Sequence, residues 1–169
     1  ANKYRLYPNA KQKQILSDYF GASRFVFNNL LGKLQNNYFG EHKTKQNKMV
    51  SRIPGQTELI NELTNLKENH LFLKKRANDL MQSSISDLHS GCKNFYQGGG
   101  FPKFKSRKNK NQSFEMKAGS RIKLNENRVI LPKPQKGNWT TEDLTIKFKS
   151  HKTKVNLPDK LIKYTVSKD

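Results

Sequence analysis

Between Gly100 and Phe114 the sequence reads Gly-Phe-Pro-Lys-Phe-Lys-Ser-Arg-Lys-Asn-Lys-Asn-Gln-Ser-Phe. Five cations, Lys103, Lys105, Arg107, Lys108 and Lys110, alternate there with two rings, Phe101 and Phe104, and with short amide and hydroxyl side chains. Cations in such a run neutralise phosphates, and rings stack on bases or sugars. Asn, Gln and Ser hydrogen-bond to phosphate oxygen or a 2′-hydroxyl. Lys3, Arg5, Lys117, Arg121 and Lys123 complete the candidate set for gripping a nucleic-acid backbone. Two plainer readings stand beside this one. Phe101 and Phe104 pack the segment onto a β-rich part of the chain, or the run is a disordered linker. Two Phe and a Pro within the run argue against the linker.

Other chemistries leave little trace. The pattern GxxxxGK[ST] is absent, so no P-loop is expected. The four histidines, His42, His70, His89 and His151, are scattered, and Cys92 is the sole cysteine, so neither a zinc site nor a disulfide is expected. Two-metal strand cleavage needs several converging carboxylates. The C-terminal half offers only Glu115, Glu126, Glu142, Asp143, Asp159 and Asp169, near lysines or in turns. No catalytic residue and no metal ligand is expected in this chain; it reads as a binding unit.

Charge supports that reading. The 169 residues hold 33 Lys plus Arg against 13 Asp plus Glu, a formal net charge of +20. Residues 101–137 alone hold eleven basic and two acidic side chains. A field of this size draws polyanions: nucleic acid, anionic lipid or an acidic protein. The plain alternative is a solvated, lysine-rich surface. Lys outnumbers Arg 26 to 7, which favours point contacts to phosphate over bidentate reading of guanine. No run of about 18 apolar residues is present to span a membrane. No apolar stretch follows the N-terminal charges, so a secretory signal is not expected, and one thiol suits a reducing, intracellular compartment.

The elements that would position these groups follow from periodicity. Asn2–Tyr7 alternates as a short strand, with Lys3, Arg5 and Tyr7 on one side. Asn9 caps a helix bearing Ile15, Leu16, Tyr19 and Phe20, and Gly21 is expected to break it from a second helix bearing Phe25 to Tyr38. Such a pair is either a helix-turn-helix or a plain helical hairpin. Gly40–Gly55 reads as a loop. Thr57 is expected to cap a helix to about Asn65, and a further helix covers about Leu73–Gln97 with Ala77, Leu80, Met81, Ser84, Ile85, Leu88, Cys92, Phe95 and Tyr96 inward. Gly98-Gly99-Gly100 stops it. Short strands follow at Ser113–Met116, Ile122–Leu124, Arg128–Leu131, Leu144–Phe148 and Tyr164–Val166, with a turn at Asn125-Glu126-Asn127. A lone first strand is not stable alone, so it is expected to join the later ones. The expected class is α+β, with a helical block (9–97) inserted into a β-rich domain (1–8 and 98–169).

Four stretches, in order, resemble the TnpB family of transposon-encoded RNA-guided DNA nucleases, also known as OrfB-type transposases, and the related miniature type V CRISPR effectors. They are Arg5-Leu6-Tyr7-Pro8-Asn9; Gly21-Ala22-Ser23-Arg24-Phe25-Val26-Phe27-Asn28; Glu62-Leu63-Thr64-Asn65-Leu66-Lys67 with Lys93-Asn94-Phe95-Tyr96; and Gly100 to Lys105 running to Ser113-Phe114, then Leu131-Pro132-Lys133. The resemblance implies a β-barrel-like wedge domain with an inserted helical recognition domain. It implies guide RNA and target DNA as partners, a prokaryotic, nucleoid-associated setting, and readers of a flanking DNA motif at Gln56, Thr57, Asn78, Gln82 and Ser120. The chain stops at Asp169, where the family's RuvC-like nuclease would begin. It is therefore expected to be a fragment that needs no cofactor and cuts nothing, Mg²⁺ belonging to the nuclease part. The alternative is a self-standing helix-turn-helix protein that grips transposon ends as duplex DNA.

Overall fold

The computed structural model describes residues 3–36, 54–109, 111–117, 122–123, 126–135, 137–150 and 163–168, with backbone alone at 117, 122, 123 and 150. It is a mixed α+β structure. Strand β1 (Tyr4–Leu6) leads into helix α1 (Ala10–Leu34); α2 (Gln56–Asn69), a 3-10 turn (Leu71–Lys75) and α3 (Asn78–Tyr96) follow. Then come β2 (Gln112–Lys117), β3 (Ile122–Lys123), β4 (Arg128–Ile130), a one-turn α4 (Thr141–Leu144), β5 (Thr145–Ser150) and β6 (Lys163–Lys168).

Asn9 caps α1 as the sequence suggests, in a reciprocal box with Gln12: each backbone N–H is taken by the other's side-chain oxygen. The expected break at Gly21 does not occur; α1 runs through it for 25 residues. A glycine inside a helix costs only about 1 kcal/mol. The buried stripe continues across it through Tyr19, Phe20, Ala22, Ser23 and Val26, so packing overrides propensity. The second helix starts one residue before Thr57. Gly55 is its N-cap, and Glu58 accepts that residue's N–H at 2.6 Å. The third is split: Leu73 lies in the 3-10 turn, and α3 begins at Asn78, after Ala77. Its inward stripe is as expected to Cys92, but Tyr96 is exposed.

Strand β1 does join the later strands. It pairs antiparallel with β5, Arg5 opposite Lys149, in a sheet of order β1-β5-β4-β3. Strands β2 and β6 form a separate two-stranded sheet. A closed barrel is therefore not formed among the described residues, because β2 and β6 pair only with each other and β1 and β3 remain edges. Asn127, at φ 51°, turns the chain into β4, as its place in the expected turn requires. The short α4, capped by Thr140, was not anticipated.

One buried cluster joins helices and strands. Phe114 of β2 sits 5.0 Å from Phe20 and 6.1 Å from Tyr19, the latter edge-on. Gln12, itself buried, donates to the Thr145 carbonyl at 2.8 Å and ties α1 to β5. The Tyr19 hydroxyl donates to the Pro132 carbonyl. Ser23 and Ser84 share a hydrogen bond of 2.9 Å where α1 crosses α3, which lets two hydroxyls be buried there at little cost. Cys92 is buried, and burial raises its thiol pKa, which suits a packing residue and not a nucleophile.

Candidate nucleic-acid interface

The basic segment is a held loop, not a free linker. At its start Gly98 takes φ 90°, and the Gly98 and Gly99 N–H groups return to the Phe95 and Asn94 carbonyls, ending α3. Phe101 meets Phe95 edge-on at 5.2 Å and packs against the core. Pro102 rests on Gly91 of α3, where an added Cβ would meet Pro102 Cγ at 3.1 Å. Asn28 of α1 then grips the loop with both ends of its amide. It accepts from the Lys105 N–H at 2.8 Å and donates to the Lys105 carbonyl at 2.9 Å. Beyond, Gln112 donates to the Arg107 and Asn109 carbonyls and accepts from Arg24 at 2.8 Å.

This anchoring sorts the cations. Lys105 turns inward: its Nζ lies 4.2 Å from the Phe27 ring centroid and 3.7 Å from an Asp87 oxygen. Burial raises the Asp87 carboxyl pKa, and the Lys105 charge works against that rise. Lys103, Arg107 and Lys108 are exposed along the loop, and Lys3 and Arg5 are exposed at β1. The Phe104 ring covers Gly32 of α1, yet is 54% exposed, so it stays available for stacking, whereas Phe101 is committed to packing. Lys117 and Lys123 have their backbones on β2 and β3. Lys110, Ser120 and Arg121 lie outside the described residues.

A second, nearly uncharged stripe runs along α3. Asn78, Gln82 and Ser86 follow at intervals of four, on one helix face. Gln56, in the first turn of α2, donates to Ser86 Oγ at 2.8 Å, and Lys67 donates to Asn78 Oδ1. Gln82 and Thr57 are exposed. The structure thus places Asn78 and Gln82 on one face of α3, with Gln56 bonded to Ser86 one turn beyond Gln82 and Thr57 next in sequence to Gln56. It adds Ser86, which the interval of four from Gln82 would have flagged. Asn28, Arg24 and Gln112 were also missed as site residues; only their contacts with the loop reveal them. Among the described residues no group of three or more His, Cys, Asp or Glu is placed to hold a metal, and no helix is long and apolar enough to cross a membrane.

Packing of Pro102 on Gly91 gives a direct check on the loop. Gly91→Val overpacks that contact and is expected to cost about 1–3 kcal/mol, a fall in Tm of about 2–12 °C. Ser90→Val, one residue earlier and exposed, is the control. Equal melting of the two variants would refute the seat.

Residues 1–43 match the helix-turn-helix domain model of the OrfB family of IS605-type elements. The start of this chain is similar to that domain. Over 135 residues, 79% of its length, the chain is also 31% identical to a protein of Escherichia coli (strain K12) named "Putative RNA-guided DNA endonuclease InsQ". It spans 31% of that relative's length. The matched residues include β1 and α1, which supplies Asn28, Phe27 and Gly32 to the basic loop.

Proposed function

We propose that this chain is the nucleic-acid-binding N-terminal region of a transposon-associated, RNA-guided DNA endonuclease, with guide RNA and target DNA as its ligands. The observation that carries it is the ordered likeness to InsQ over 79% of the chain. The helix-turn-helix match at its start and a cationic loop clamped onto the matched residues support it. In this reading the sheets form a wedge domain (1–8 and 98–169) and the helices (9–97) a recognition domain. Lys103, Arg107 and Lys108 contact phosphates, with Lys3, Arg5, Lys110, Lys117, Arg121 and Lys123 as further candidates, and Phe104 stacks. Gln56, Thr57, Asn78, Gln82 and Ser120 read the DNA flanking the target, since amides pair with adenine edges in the major groove. Strand cleavage with Mg²⁺ is assigned to a fuller protein, and no step of it to these residues. A prokaryotic, nucleoid-associated setting goes with that role.

The test is retention of labelled probes across a salt series. A structured RNA that co-purifies with the full-length protein is expected to bind this chain far more tightly than random duplex DNA. Equal or reversed preference would favour the second reading, a duplex-binding domain for transposon ends, which the helix-turn-helix description of residues 1–43 supports. No retention of either probe at physiological salt would overturn both. Q82A with Q56A is expected to lower discrimination among flanking duplexes by about 1–3 kcal/mol per lost base contact, leaving binding to random duplex unchanged. Uniform weakening on all duplexes would refute base reading by this stripe.

A further inference from the structure

The outer face of the four-stranded sheet carries a charge array that folding alone does not explain. Inward, Tyr4, Leu6, Val129, Ile146 and Phe148 pack on or against the core. Alternation then sends Arg5, Arg128, Lys147 and Lys149 outward, and all four are exposed. The register sets like against like: Arg5 faces Lys149, and Arg128 faces Lys147. Like charges directly opposite on neighbouring strands destabilise a sheet. Glu126, 3.8 Å from Arg128, is the one acid paired to this face among the described residues, and an exposed pair of that kind contributes little. At the edge Tyr7 is 50% exposed, with Lys149 Nζ 5.6 Å from its ring.

We propose that this face is a second phosphodiester-binding surface, in which Lys147, Lys149 and Arg128 join Arg5, and Tyr7 closes the edge. The proposal rests on the reading of the chain as a nucleic-acid binder and adds residues that the basic loop does not contain. A planar array of four cations from three strands suits a sugar–phosphate backbone laid across the strands. Counterion release on contact supplies the favourable term that the fold itself lacks.

The register allows a test in which stability and binding move in opposite directions. In K147E/K149E each new carboxylate faces an arginine across the strand pair, so Tm is expected to rise by about 1–4 °C. Affinity for a labelled hairpin RNA, a duplex DNA of equal charge, or both is expected to fall about tenfold or more, with the log–log salt slope reduced by about 1.4–1.8. Loss on one probe alone supports the proposal and identifies the strand carried. The neutral variant K147Q/K149Q is expected to lose affinity in the same direction, and keeps the test intact if the reversed pair does not fold. Unchanged affinity and slope on both probes, with wild type still binding, would overturn this surface and leave the proposed function standing. Absence of wild-type binding would remove that function instead. Weakened binding to phosphatidylserine vesicles with nucleic-acid binding intact would also overturn it.

Discussion

Replacing Lys103, Arg107 and Lys108 together with Ala is expected to reduce the salt slope of nucleic-acid binding by about 2.1–2.7, at about 0.7–0.9 per lost phosphate contact. A change of that size is expected to lower affinity about a hundredfold or more near physiological salt. The three side chains are exposed on a loop whose backbone is held by Asn28 and Gln112, so phosphate contact through them is expected to need no prior ordering of the chain. Lys105→Ala is expected to behave differently. Its ammonium is turned onto Phe27 and Asp87, so the slope is expected to hold while stability falls. That fall has a pH signature. The Asp87 carboxyl pKa is raised by burial, so the native state holds its proton more readily than the unfolded chain. Stability therefore declines as pH rises through the window between the unfolded and the raised native value. Removing Lys105 takes away the opposing charge and moves the native value further up. The Tm deficit of Lys105→Ala is expected to be full at neutral pH and to shrink below the ordinary carboxylate range. Melts and titrations of the single and triple variants check both halves; a slope lowered equally by Lys105→Ala would refute the division of labour.

Asn28→Ala is the second large effect. The amide makes two hydrogen bonds to one peptide segment, and its loss strands the part-buried Lys105 N–H and carbonyl. The expected cost is about 1–3 kcal/mol. Near the middle of that range the open form of the loop becomes about thirtyfold more populated. Trypsin, which cuts after Lys and Arg, is expected to nick at Lys103, Lys105, Arg107 and Lys108 correspondingly faster, with helix content retained. Asn28→Asp keeps the acceptor for the Lys105 N–H and is expected to fall between. An unchanged nicking rate in Asn28→Ala would show that the clamp does not hold the loop.

The strands and the core stripe were legible in the sequence because they rest on local periodicity. The strands among the described residues lie where alternation and turn residues place them, and Leu80, Met81, Ile85 and Leu88 are inward as their spacing demands. Helix ends were less legible. Gly21, Thr57 and Leu73 each carried a local signal that a neighbouring contact outweighed: the continuous stripe of α1, the Glu58 carboxylate at Gly55, and the 3-10 turn before Ala77. In the candidate interface, composition identified the cations but not their directions. Lys103 and Lys105 look alike in the sequence; Asn28, 77 residues away, makes them different. The sheet array was hidden for the same reason, since strand register alone sets Lys149 against Arg5.

The pairing of Tyr4 with Ser150 has a consequence during synthesis. The first strand is made about 140 residues ahead of its partner. At roughly 5–20 residues per second, it waits about 7–30 s before β5 exists. Through that interval α1 lacks the Thr145 carbonyl for Gln12, and for most of it Phe114 for Phe20 as well, so the helices emerge first as an incomplete core. A nascent chain stalled before residue 145 is thus expected to expose Leu6 and Phe20 to chaperones, and release from them awaits the closing strand.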